Sequence, residues 1–155
     1  MAEPIIEINN LHISFYTKIG EIPAVMDFSM KVMPGESMGL VGESGCGKST
    51  VALAIMRDLP GSGSITKGQI KFKGRDMGEM TDGELRQLRG SQIAMVYQEP
   101  MASLNPSMRA GRQLMEVPII HDKVSKDEAR ARALEMMKAV RLPDPERIMD
   151  SYPHQ

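Results

Sequence analysis

With 155 residues, 41% of them hydrophobic and 25% charged, the chain has ordinary globular composition and enough length for one domain core. Its net charge of −1 gives no basic excess that would point to nucleic acid as a partner, and it holds no apolar run long enough to span a membrane. The single cysteine, Cys46, excludes an intramolecular disulfide or a cysteine-based metal cluster within this chain, and the start Met1-Ala2-Glu3-Pro4 lacks a signal peptide's basic-then-apolar layout, so a cytoplasmic location is expected. Met is used 15 times against three Phe and no Trp, which marks a core filled by flexible side chains.

The first elements read as strands. Residues 4–15 alternate in places, with Ile6 and Ile8, then Leu11, Ile13 and Phe15, as in a strand interrupted near Asn9-Asn10. Turn residues at 18–21 precede a second strand over 23–32. Met33-Pro34-Gly35-Glu36 then predicts a type II turn, since Pro presets the first central φ and Gly accepts a positive φ at the second. An antiparallel sheet is therefore expected ahead of a parallel one, whose first member is a short buried strand over 37–41.

That strand leads into Gly42-Glu43-Ser44-Gly45-Cys46-Gly47-Lys48-Ser49-Thr50, which fits the phosphate-binding pattern G-x-x-x-x-G-K-[S/T]. A helix with apolar residues Leu53, Ile55 and Met56 follows over 50–58, completing the strand, loop and helix order that the pattern requires. A polyphosphate is bound best by several backbone N–H groups converging at a helix N-terminus. Gly42, Gly45 and Gly47 would let the backbone curl around such an anion, Lys48 would place a point charge on the β- and γ-phosphates, and the Ser49 hydroxyl would hold Mg²⁺. Cys46 occupies a free position of the pattern, where a small residue fits; thiol oxidation or alkylation there is the minor alternative.

Beyond the breaker cluster at 59–64, residues 68–73 alternate as an edge strand with Ile70 and Phe72 inward, and Gly74-Arg75-Asp76 turns the chain. Thr81-Asp82-Gly83-Glu84 is a capping box opening a helix over 82–89 that ends at Gly90. Residues 93–97 read as the next buried strand, and 98–106 as a loop. After it the strands cease. Residues 108–120 are expected to be helical up to Pro118, and Ser125-Lys126-Asp127-Glu128 opens a helix to about Arg141 with Ala131, Leu134, Met137 and Val140 on one face and its charges on a solvated one. Asp144-Pro145 reads as the N-cap and first residue of a short last helix.

Taken together, this order of motifs resembles the ATP-binding subunit of ABC transporters, in particular the oligopeptide, dipeptide and nickel import branch. The residues that carry the resemblance are 42–49 as Walker A, Tyr97-Gln98-Glu99-Pro100 as the Q-loop, and Ser103-Leu104-Asn105-Pro106 directly after it. Gly68-Gln69-Ile70 with Gly74-Arg75-Asp76 and the closing Tyr152-Pro153-His154-Gln155 are similar to the same family, and the likeness runs over essentially all of the chain. It implies an α/β fold of the P-loop NTPase type, an incomplete ABC nucleotide-binding domain with an antiparallel β-subdomain, a partial parallel core and a helical subdomain. The β-subdomain and partial core would occupy 1–98, and the Q-loop exit and start of the helical subdomain 99–155.

By the same resemblance, ATP and Mg²⁺ are the cofactors. Phe15 matches the aromatic that stacks on adenine, and Gln98 would reach Mg²⁺ or the attacking water and connect the site to the permease. The implied partners are membrane permease subunits, met through the helical subdomain and Q-loop, and a second ATP-binding subunit, at the inner face of the cell membrane. Nucleic acid is not implied, and His12, His121 and His154 are read as non-catalytic.

The departure is at the end. The family's Leu-Ser-Gly-Gly signature, Walker B strand and catalytic glutamate follow Tyr-Pro-His-Gln, and none of them lies within residues 1–155. No catalytic residue is therefore assigned. Two functions remain open: the N-terminal, ATP-binding part of a subunit that couples ATP hydrolysis to uptake of peptides or a similar small solute, and a nucleotide-binding module with neither ATPase nor transport activity. Both lead to the expectation that this chain contacts nucleotide without turning it over alone, since phosphoryl transfer needs metal, a positioned water and a charge clamp together. A phosphate-release assay on the purified chain is expected to read background; a Lys48-dependent rate would contradict the expectation.

Overall fold

The computed structural model describes residues 3–99 and 103–155, in two compact units, 1–89 and 90–155. The first is built on a four-stranded antiparallel sheet of order β2-β1-β3-β4, comprising β1 (Ile6–Thr17), β2 (Gly20–Val32), β3 (Gly63–Phe72) and β4 (Arg75–Asp76). Helix α1 (Lys48–Ile55) lies between β2 and β3 in the chain, and a 3₁₀ turn (Met77–Glu79) and α2 (Asp82–Ser91) follow β4. Ile8, Leu11 and Ile13 of β1 are fully buried, as are Ile70 and Phe72 of β3 at 2% and 6% exposure, so the inward alternation expected of these strands is present.

The interruption expected at Asn9-Asn10 is a bulge shared by three strands. On one side the register runs Ile8 to Met30 and resumes at Leu11 to Phe28; on the other it runs Asn9 to Gln69 and resumes at His12 to Lys67. Asn10 and Asp27 both take the left-handed conformation, at φ 46° and 52°, and are tied by a 2.7 Å hydrogen bond from Asn10 Nδ2 to Asp27 Oδ1. The Asn10 N–H donates to Ser29 Oγ at 2.9 Å. Gly68 completes the bulge on β3 at φ 86°, and a Cβ there would run into the carbonyl oxygens of Asn9 and Asn10. Beside the bulge, Lys31, Glu7, Lys71 and Asp76 stand in one row across the sheet. The alternating signs favour this register, and the hydrogen bond from Lys31 holds the Glu7 carboxyl below its ordinary pKa.

Two segments differ from expectation. Residues 37–41 and 93–97 form no strand, and Val41 and Val96 are 95% and 93% exposed. An apolar run becomes a buried strand only when flanking strands complete its ladder, and among the described residues nothing pairs with either segment. Local signals hold elsewhere. Glu36 N–H donates to the Met33 carbonyl with Gly35 at φ 75°, as the turn at 33–36 requires. Lys73 and Gly74, at φ 47° and 77°, make the tight β3–β4 turn.

At the start of α2 the capping box is complete: Thr81 N–H donates to Glu84 Oε2 at 2.8 Å and Glu84 N–H to Thr81 Oγ1 at 3.4 Å. Glu84 Oε1 also takes Arg75 Nη2 at 2.5 Å. The Thr81 backbone donor first, and Arg75 second, pull the Glu84 carboxyl down to about 2.

The second unit is helical, with α3 (Ala110–His121), α4 (Lys126–Ala139) and α5 (Pro145–Asp150). Helix α3 runs through Pro118, which gives up one hydrogen bond yet does not end the helix; the Pro118 carbonyl still accepts from Asp122. Ser125 caps α4 by accepting from Glu128 N–H. The buried face of α4 is Ala129, Ala133, Leu134 and Met137, whereas Ala131 and Val140 point outward, a rotation of the expected stripe that lets Met149 of α5 join the core. Arg130 pairs with Glu146, and Arg132 with Glu128 and Asp122, so the charges of α4 serve the outer surface as expected. Asp144 caps α5, with Pro145 as its first residue.

Two outcomes test this account. Gly68→Ala is expected to cost on the order of 2 kcal/mol or more, read as a lower urea midpoint, and an unchanged midpoint would mean the bulge is not the register lock described. For Glu84, the folded-state pKa of about 2 lies below the ordinary 4.5, so its stabilisation is complete above pH 4.5 and drains away as the pH falls to about 2. Glu84→Gln is expected to flatten that part of the stability-versus-pH curve; curves that stay parallel below pH 4.5 would contradict it.

Candidate functional site

The phosphate-loop pattern at 42–50 folds into the N-terminal end of α1. Helix α1 starts at Lys48, so Lys48 and Ser49 are its first residues and Gly47 is its N-cap. The first intrahelical bond runs from Val51 N–H to the Gly47 carbonyl, which leaves the N–H groups of Lys48, Ser49 and Thr50 without an intrahelical acceptor. Gly47 brings no side chain to cap them. A helix end left in this way is suited to an anion, because aligned donors and the positive end of the helix dipole point to the same place.

The glycines have separate tasks. Gly47 stands at φ 93°, with the Ala24 carbonyl of β2 at 2.8 Å from the position of a Cβ and Val25 Cγ2 at 3.1 Å. This close approach seats the end of the loop on β2. Gly45, at φ 83°, has open space around it and supplies the curl alone. A Cβ on Gly42 would meet Cys46 Sγ at 2.6 Å, so the small first residue leaves room for the thiol. Lys48 folds its side chain back over the loop, donating from Nζ to the carbonyls of Gly42 at 2.7 Å and Glu43 at 2.6 Å, with Cys46 Sγ at 3.5 Å. The ammonium is thereby held over the concavity by carbonyl dipoles. Glu43, Ser44, Cys46 and Ser49 are exposed, and Thr50 is half-buried on the first turn.

Phe15 is half-buried in β1, opposite Ile22 of β2 and Gly63 of β3, with its ring edge at 2.9 Å from where a Gly63 Cβ would stand. Gln98 is exposed at a bend over residues 98–99 of the second unit. Pro100, the last residue of the Tyr97-Gln98-Glu99-Pro100 motif, lies outside the described residues. In Ser103-Leu104-Asn105-Pro106 the backbone is pinned by Gln113 of α3, which accepts from Asn105 N–H at 2.9 Å and donates to the Asn105 and Met108 carbonyls at 3.0 Å. Leu104 and the closing Tyr152, Pro153 and Gln155 share one cavity of about 300 Å³ with Leu114 and Leu142, so two motifs distant in sequence meet. His154 stacks on Tyr152 at 5.8 Å between ring centroids. Among the described residues no cluster of His, Cys, Asp and Glu could hold a metal by itself, so a cation here would depend on Ser49 and on the anion it accompanies.

Sequence reasoning missed Arg89, which donates from Nε to the Met56 carbonyl and from Nη2 to the Arg57 carbonyl, both at 2.8 Å, at the far end of α1. No motif announces that contact, since it joins residues 33 apart.

A glycine loop seated on a sheet and opening a helix with uncapped N–H groups is the loop arrangement of the P-loop NTPase fold. The family model described as ABC transporter matches residues 25–155, and the chain belongs to the ABC transporter family. It is 42% identical over its whole length to the probable D,D-dipeptide transport ATP-binding protein DdpD of Escherichia coli, of which it covers 48%. It is 43% identical to the dipeptide transport ATP-binding protein DppD of Bacillus subtilis, covering 99% of this chain and 46% of that protein. The chain thus spans about half the length of the curated relatives it matches. Among solved structures, the dimeric post-hydrolysis state of the ATP-binding cassette MJ0796 bound to ADP and Pi superposes with a TM-score of 0.81 at 25% identity, over 97% of this chain and 62% of the other. No helix among the described residues is long and apolar enough to cross a membrane.

Proposed function

We propose that this chain supplies the ATP-binding portion of an importer subunit that powers uptake of peptides or a similar small solute through a separate membrane permease. The observation that supports the reading is the loop at 42–50, with uncapped N–H groups and a folded-back Lys48, in a chain similar to dipeptide transport ATP-binding proteins.

In this reading the backbone N–H groups of residues 45–50 cradle the α- and β-phosphates of ATP, Cys46 N–H giving up its bond to the Glu43 carbonyl, and Lys48 exchanges the Gly42 and Glu43 carbonyls for β- and γ-phosphate oxygens. Carbonyl acceptors are a suitable resting place because they hold the ammonium near its target without neutralising it, as a carboxylate would. Ser49, exposed on the first turn, would hold Mg²⁺ through its hydroxyl. The metal supplies charge neutralisation between the phosphates. Phe15 would offer a ring to adenine, and the family resemblance gives Gln98 the role of reaching Mg²⁺ or the attacking water. The helical unit at 90–155, with the apolar cavity between Leu104 and Tyr152, faces the permease, and a second ATP-binding subunit completes the assembly at the inner face of the membrane.

Titration of a fluorescent ATP analogue into the chain with Mg²⁺ is expected to give saturable binding that Lys48→Ala weakens at least about tenfold, the scale of losing one charge-assisted hydrogen bond. Equal affinity in wild type and Lys48→Ala would overturn the reading.

A further inference from the structure

We infer that Arg89 is a positioning residue for the phosphate loop, acting from the opposite end of α1; the inference rests on the reading of 42–50 as a polyphosphate seat. Helix α1 has eight residues and spans about 12 Å, so a tilt of about 10° at its C-terminal end displaces the loop by about 2 Å. That is larger than the error a phosphate site tolerates, since a misplacement of about 1 Å is already costly for an oriented contact. Something must hold the far end.

Packing does not do so alone. Beside the end of α1 lies a cavity of about 330 Å³, lined by Ala54, Arg57, Leu59, Leu85 and Arg89 among others. Arg89 bridges this gap from α2. Its guanidinium donates to the carbonyls of Met56 and Arg57, acceptors left over by the end of the helix, and its positive charge stands at the negative end of the helix dipole.

The terminus it grips is a strained one. Asp58 N–H donates to the Leu53 carbonyl and Arg57 N–H to the Ala54 carbonyl, the paired bonds of a Schellman ending. Arg57 occupies its left-handed position at φ 52°, where glycine is the usual residue. Arg89 holds the Arg57 carbonyl, so the same side chain that anchors α1 also fixes the conformation its ending requires.

The test uses the 155-residue chain and inorganic tripolyphosphate, which reads the loop without the base. Binding is measured by calorimetry, well below the melting temperature of each variant, for wild type, Arg89→Gln, Arg89→Lys and Lys48→Ala. Arg89→Gln is expected to weaken tripolyphosphate about threefold to tenfold and to speed hydrogen exchange of the Val51 amide, which closes the first turn of α1 on the Gly47 carbonyl, with Arg89→Lys between it and wild type. A lowered melting temperature with wild-type affinity and wild-type exchange at Val51 would reduce Arg89 to a structural residue and overturn the inference. If Arg89→Gln does not fold, wild-type affinity in Arg89→Lys overturns it. Loss of binding in Lys48→Ala beside unchanged binding in Arg89→Gln defeats the inference while leaving the phosphate seat in place; binding that ignores Lys48 defeats both.

Discussion

Gly47 lies against β2 so closely that the Ala24 carbonyl stands 2.8 Å from where any side chain would begin, and its φ of 93° is one that other residues adopt only under strain. Much of the phosphate seat follows from this approach. Because the loop ends on β2, α1 begins at Lys48 with its first N–H groups uncapped, and Lys48 can turn back over Gly42 and Glu43. Because the cap is a glycine, no side chain competes for those N–H groups. The β-sheet thus seats the glycine loop through a close backbone contact.

The sheet is fitted for that task by a register that resists slipping. The shared bulge of Asn10, Asp27 and Gly68 aligns three strands, and the row Lys31, Glu7, Lys71 and Asp76 aligns all four. A slip of one residue would set Glu7 against Met30 or Val32 on one side and Ile70 or Phe72 on the other, undoing its pairing with Lys31 and Lys71 and turning buried side chains outward. At the other end of α1, Arg89 secures the helix to α2, whose own start is set by Thr81 and Glu84. The helical unit is organised separately around Ala133, Leu134, Met137 and Met149, with Gly111 permitting α3 to approach Met149 of α5.

Features encoded by a few adjacent residues were legible in the sequence. The turn at Pro34-Gly35, the caps at Thr81, Ser125 and Asp144, and the glycine loop opening α1 depend on local chemistry, while the turn expected at Gly74-Arg75-Asp76 falls one residue earlier, at Lys73-Gly74, with Arg75 and Asp76 forming β4. The β1 interruption was visible because Asn9-Asn10 breaks the alternation. What failed to read correctly depends on partners far along the chain. Residues 37–41 and 93–97 have the composition of buried strands, but a ladder needs neighbours, and composition says nothing of whether they are present. The stripe of α4 was placed on Ala131, Leu134, Met137 and Val140; Leu134 and Met137 are buried, but Ala129 and Ala133 take the other places, because periodicity fixes spacing and leaves rotation about the helix axis to the packing partner, here α5. Pro118 was read as a stop because an isolated helix gains little beyond a proline, while here α3 continues to His121. Arg89 left no sign, since nothing in a lone arginine foretells two carbonyls at the end of another helix.

The central claim is that the backbone N–H groups at the start of α1, together with Lys48, form the seat for the phosphates of ATP. Backbone amide NMR shifts followed while Mg²⁺ and ATP are titrated into the labelled chain test it most directly. The account predicts saturable shifts concentrated at residues 45–50, absent from Lys48→Ala. Saturable shifts that fall elsewhere and leave 45–50 unmoved would contradict it.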